Sequence, residues 1–335
     1  MNFFMEKISR LFVWGFEGTR VSCPLRSLFR HYPPGGLILF KRNLESPKQI
    51  RVLTKELQAL SHEPLLIGID QEGGRVSRLP EPFTQLPPAA VWGRIYEMEK
   101  DPKVIFRVGR YLAQELLSVG INTDFAPVLD VNSNPKNPII GDRAFSDNPK
   151  IAAQAAGAFY LGMKREGVVT CGKHFPGHGD TKTDSHLTLP RVTKDLRSLQ
   201  RVELFPFREA IKKAMPMLMT AHVVYDAWDK RNPATLSRAI LHDLLRRKMG
   251  FRGVVVSDDL QMKAISKKYS LVEASLSALR AGVDLLLICR DGEKGGEVIE
   301  KVAREAASDS YLLRRIEESF RRVAGLKRRY LRAPN

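Results

Sequence analysis

The densest chemistry in this 335-residue chain lies between Gly172 and Pro190, GKHFPGHGDTKTDSHLTLP, which holds three of the seven histidines and two aspartates. A metal site is the first chemistry to weigh. His174 and His178 are four apart, the spacing that sets two ligands on one helix face. Pro176 and Gly177 between them would break that helix, so the spacing argument for a metal fails. Asp184 and His186 are separated by one residue. In an extended segment they point to the same side, about 6.6 Å apart along the chain. A carboxylate beside an imidazole holds one tautomer and supports the imidazolium, which suits a general acid/base near neutral pH. A lone D-x-H would be read as a turn cap; set in this segment, the pair is read as an acid/base dyad.

Asp258 and Asp259 are adjacent carboxylates in VVVSDDL, at the end of a β-branched run. Successive side chains of a strand face opposite ways, so one of the two enters a site as a nucleophile. The other is free to cap the following LQMKAI segment. Spacing leaves open which is which. Asp70 in GIDQEGGRVSRL, Asp130 in APVLDVNSNP, Arg143 in IIGDRAF and His222 in TAHVVY also follow apolar runs. RDGEKGG, from Arg290 to Gly296, lacks the Lys and Ser/Thr of a phosphate loop.

The elements that position these residues are eight short apolar runs: Leu11 to Gly15, Gly36 to Phe40, Leu65 to Ile69, Asp124 to Leu129, Val168 to Gly172, Met217 to Ala221, Gly253 to Val256 and Val283 to Ile288. Helical periodicity fills the gaps at Pro47 to Ser61, Lys103 to Val119, Ile151 to Arg165, Ser198 to Lys213, Ser237 to Lys248 and Val272 to Ala281. Strands alternating with helices imply a parallel sheet, and eight of them predict an α/β fold, a (β/α)8 TIM-like barrel. No linker or composition break divides the chain, so residues 1–335 are read as one domain. The rival doubly wound sheet lacks its GxGxxG fingerprint. In a barrel the loops after strands three to seven would bring the polar residues above to one face.

Hydrophobic residues make up 43% and charged residues 27%, which removes disordered and fibrous classes. Lys plus Arg exceed Asp plus Glu by 54 − 37 = 17, so an anionic polymer has to be considered as a partner. Six of those charges fall in residues 301–335, where ten Lys or Arg meet four Asp or Glu. Leu312, Leu313, Ile316, Phe320, Val323 and Leu326 recur there at helical spacing. The basic residues therefore read as the solvated face of a C-terminal helix at about 309–331, and no nucleic-acid motif accompanies them. Three scattered cysteines, Cys23, Cys171 and Cys289, suit reduced thiols. With no signal-like N-terminus and no apolar run of about 20 residues, a cytoplasmic protein without a membrane span is expected. A monomer is favoured.

KHFPGHGDTKTDSH, GIDQEGGRVSRL and VVVSDDLQM together resemble the single-domain bacterial β-N-acetylhexosaminidases of glycoside hydrolase family 3, the cell-wall recycling type, from roughly Gly36 to Cys289. The resemblance implies Asp258 as nucleophile and His186 as general acid/base with Asp184 as its partner. It further implies that Asp70, Arg78, Arg143, Lys173 and His174 bind a terminal N-acetylglucosamine. The implied reaction is retaining release of that sugar from N-acetylglucosaminyl-1,6-anhydro-N-acetylmuramic acid, with or without its peptide, and needs no cofactor. Two other chemistries stay open: a substrate-assisted hexosaminidase using Asp258 and Asp259, and a phosphorylase passing the sugar to phosphate. Outside enzymology, the alternative is an anionic-polymer-binding barrel.

Overall fold

The computed structural model describes residues 3–182, 189–290, 292 and 295–331. Seven of the eight apolar runs form strands and the run Asp124 to Leu129 meets the sheet at its first residue, all eight strands being buried on both faces: β1 Phe12–Trp14, β2 Gly36–Leu39, β3 Leu66–Ile69, β4 Thr123–Asp124, β5 Val169–Phe175, β6 Met217–Thr220, β7 Val254–Val256 and β8 Leu286–Ile288. Burial on both faces is why the seven read as unbroken apolar runs rather than alternating ones. They pair in parallel in the order β7-β6-β5-β4-β3-β2-β1-β8. β1 pairs β8 with Phe12 opposite Leu286, and a parallel bridge from Val256 to Leu285 joins β7 to β8. The barrel is thereby closed.

Local chemistry starts and stops the surrounding helices. Ser46 caps Pro47–Ala59, accepting from the Gln49 amide, and Pro47 occupies the first turn where no donor is missed. Asn148 caps Pro149–Glu166, which ends on Gly167 at φ 96°. Ser270 and Glu273 form a capping box on Leu271–Ala281.

Three departures from the expected elements have physical causes. β4 has only two ladder residues, with one further bridge from Val128 to Lys173, because Pro127 has no N–H to donate. β5 runs on to Phe175, so Lys173 and His174 lie in the strand rather than beyond it. The helix expected over Ser198 to Lys213 is two, Leu196–Arg201 and Leu204–Lys212. The ring of Pro206 removes the bond to the Val202 carbonyl and clashes with it.

The C-terminal helix spans Ser310–Tyr330, but its basic residues are not simply a solvated face. Arg315 and Lys327 are buried, and Arg322 is half-buried. Asp284, just before β8 and fully buried, accepts from Arg246 at 2.5 Å, Ser319 at 2.9 Å, Arg322 at 3.0 Å and Arg315 at 3.4 Å. Part of the positive excess thus locks this helix under the barrel. Among the described residues no helix is long and apolar enough to cross a membrane. A small sheet of Arg191–Val192, Val224–Tyr225 and Asp229–Pro233 lies beside the C-terminal mouth.

Candidate active site

At the C-terminal ends of the strands lies a cavity of about 590 Å³, lined from β5, β6 and β8 and from the segments following β2, β3, β4, β5, β7 and β8. Its floor is a chain of charges. Lys173, buried on β5, bridges Asp70 Oδ1 and Glu72 Oε1 at 2.6 Å each. Arg143 grips Glu72 with both arms of its fork, Nε to Oε2 and Nη2 to Oε1, each 2.8 Å. Removing these groups from water costs several kcal/mol per ion, which only close pairing offsets. Burial alone would raise the Glu72 carboxyl, but Arg143 and Lys173 hold it well below the usual carboxylate range. The same carboxylates hold Lys173 and Arg143 charged despite their burial.

Asp130, fully buried after β4, accepts the amides of His174 at 3.1 Å and His178 at 2.7 Å and meets His174 Nδ1 at 2.7 Å. Burial pushes its carboxyl up, yet His174 and His178 hold it below its ordinary value. An ionised carboxylate only accepts, so His174 Nδ1 carries the proton and Nε2 is left for a ligand. His178 bonds Thr181 through Nδ1, and burial lowers it to about 4. Among the described residues no three His, Cys, Asp or Glu side chains are grouped to hold a metal ion.

The geometry separates the adjacent aspartates. Asp259 Oδ1 accepts the amides of Gln261 at 3.1 Å and Cys289 at 3.2 Å, tying the loop after β7 to the residue just after β8. Asp258 Oδ1 accepts the Asp259 amide, and both aspartates line the cavity. Burial pushes Asp258 up, but His222, His174 and Lys173 outweigh it and keep the carboxylate ionised. His222, fully buried after β6, bonds Thr235 Oγ1 and the Asp259 carbonyl and so supports the β7 loop from below.

Asp70, Arg78, Arg143, Lys173, His174 and Asp258 therefore share one cavity. Arg78 lies 5.9 Å from the Phe40 ring centroid, and its backbone amide donates to Gln71 Oε1. Asp184 and His186 lie outside the described residues. Sequence reasoning passed over Glu72, the shared partner of Arg143 and Lys173. Its signal was the two-residue step from Asp70 in IDQEGG.

The model of the glycosyl hydrolase family 3 N terminal domain matches residues 4–326. A β-hexosaminidase of Alkalilimnicola ehrlichii is 41% identical over 305 residues, 90% of this chain and 86% of that protein. One from Neisseria meningitidis serogroup B is 41% identical over 258 residues, 76% and 71% of the two chains. A family 3 β-N-acetylglucosaminidase from Paenibacillus superposes with a TM-score of 0.93 at 38% identity, covering 97% of this chain, which spans only 62% of that one. NagZ from Neisseria gonorrhoeae gives 0.79 at 33%, covering 95% and 93%.

Proposed function

The chain belongs to glycosyl hydrolase family 3 and is a glycoside hydrolase, and on that premise we propose that it is a retaining exo-β-N-acetylglucosaminidase. One observation carries the mechanism: Asp258 and Asp259 both line the cavity, but Asp259 Oδ1 is held by the Gln261 and Cys289 amides, while Asp258 is an ionised carboxylate that accepts the adjoining Asp259 amide. Asp258 attacks the anomeric carbon. The C–O bond to the leaving group breaks, and His186, oriented by Asp184, gives its proton to the departing oxygen. A water that loses a proton to the same imidazole then attacks the glycosyl-enzyme and frees Asp258. Two inversions retain the configuration. The substrate-assisted alternative needs a carboxylate to orient the acetamido group, and the two amides on Asp259 Oδ1 favour the direct attack by Asp258 over it.

Asp70, Arg78, Arg143, Lys173 and His174 hold the terminal sugar. Lys173 and Arg143 are charged donors fixed by Glu72, so they meet hydroxyl oxygens with no reorganisation. Relatives described as β-hexosaminidases and a β-N-acetylglucosaminidase support the N-acetylglucosamine preference. The substrate proposed is a cytoplasmic cell-wall fragment, N-acetylglucosaminyl-1,6-anhydro-N-acetylmuramic acid with or without peptide. Turnover of aryl N-acetyl-β-glucosaminide beside aryl β-glucoside tests the reading, and equal rates would sink it.

A further inference from the structure

The structure assigns a positioning role to Glu203: this buried carboxyl joins the two stems of the segment that carries Asp184 and His186. Glu203 lies in the break between Leu196–Arg201 and Leu204–Lys212 and is fully buried. A buried carboxyl is a costly way to fill space, and an apolar side chain would pack more cheaply. What it adds is connection. Its Oε1 accepts from Ser133 Oγ at 2.6 Å, in the segment after β4, and lies 3.5 Å from Lys194 Nζ. Lys194 also pairs Asp180 Oδ1 at 2.9 Å. Asp180 precedes the dyad segment and Lys194 follows it, so Glu203 and Lys194 join both stems to the β4 segment.

The surroundings fit that role. Among the described residues Glu203 Oε2 has no hydrogen-bond partner, and it would lie 3.1 Å from a Cβ placed at Gly177. A Cβ at Gly177, whose φ is 127°, would lie 2.8 Å from Glu203 Cβ, so only glycine lets the PGHG turn rest on this carboxyl. The incoming stem is held again by Tyr225 Oη on the Gly177 carbonyl at 2.7 Å and by Asn137 on Thr181 Oγ1 at 3.0 Å. The outgoing stem is held by the Val224 amide on the Pro190 carbonyl at 2.9 Å.

The inference rests on the reading of His186 as the general acid. Proton donation demands a placement within hydrogen-bond reach, and a misplacement of about 1 Å costs on the order of 10²-fold. Loosening the stems should therefore hurt substrates that need the proton more than those that do not. The test measures kcat on N,N′-diacetylchitobiose and on 4-nitrophenyl N-acetyl-β-glucosaminide for Glu203→Ala, Glu203→Gln and Lys194→Met, beside His186→Ala. Glu203→Ala and Lys194→Met should lose roughly 10- to 100-fold on the disaccharide and several-fold less on the aryl glycoside. Glu203→Gln keeps the volume and the Ser133 bond and should recover most of the loss. Lys194 is partly exposed, so its variant folds even where Glu203→Ala does not. Equal losses on both substrates in folded Lys194→Met, or a folded Glu203→Gln that loses as much as Glu203→Ala, with the expected split in His186→Ala, overturn the role of Glu203 alone. No split in His186→Ala overturns the acid reading beneath it.

Discussion

Lys173→Met removes the cation at the centre of the cavity floor. Methionine matches the stem of lysine in volume, so the change isolates charge. Lys173 contacts Asp70 and Glu72 at 2.6 Å each, and its loss leaves Asp70 with no ion-pair partner among the described residues and Glu72 with Arg143 alone. Removing one partner of a buried ion pair costs about 3–5 kcal/mol. At about 2.1 cal/mol/K per residue, the unfolding entropy of 335 residues is about 0.7 kcal/mol/K, so Tm should fall by about 4–7 °C at pH 7. The penalty depends on pH in a fixed direction. Glu72 is held below its ordinary value of 4.5, so its contribution is present above that pH and is lost as the pH falls beneath it. With Lys173 gone that contribution shrinks, and the gap between wild type and variant should narrow between pH 5 and pH 3. Differential scanning calorimetry at pH 7 and pH 4 reads both quantities. An unchanged Tm at pH 7, or a gap that widens on acidification, would refute the electrostatic account of the floor.

Three further outcomes follow from the site. The N-acetyl sugar should be preferred over glucose at least tenfold in kcat/KM on aryl glycosides, about 1.4 kcal/mol at the transition state. His186→Ala should lose roughly 10²- to 10⁴-fold on a disaccharide and far less on an activated aryl glycoside, and Asp184→Ala should show a weaker version of that split; equal losses would place the acid elsewhere. Asp259→Ala should lower Tm, because it strands the Gln261 and Cys289 amides, and its residual activity should exceed that of Asp258→Ala measured at a temperature where both are folded.

Seven of the eight barrel strands were legible because burial on both faces turns them into apolar runs that need no partner to be recognised, whereas β4, Thr123–Asp124, is polar and lies at the edge of its expected run. The C-terminal helix was legible for a related reason: Leu312, Ile316 and Val323 repeat its apolar stripe. What periodicity does not carry is where a long charged side chain goes. Arg315 and Arg322 read as solvated until Asp284, some thirty residues earlier, is seen buried beneath them. Glu72 was hidden likewise, since its partner Arg143 lies 71 positions away and its importance exists only in the fold. Adjacent Asp258 and Asp259 are chemically alike in sequence. They differ because the Gln261 amide and the Cys289 amide just after β8 claim one of them.

The central claim is that Asp258 becomes covalently glycosylated. A 5-fluoro-N-acetylglucosaminyl fluoride slows breakdown of a glycosyl-enzyme and keeps the acetamido group, so it tests a protein nucleophile and neighbouring-group attack in one experiment. Peptide mass spectrometry of the inactivated enzyme should find one adduct, on Asp258, formed with time-dependent loss of activity. An adduct on Asp259, or turnover of the reagent with no adduct on any carboxylate, would contradict the account.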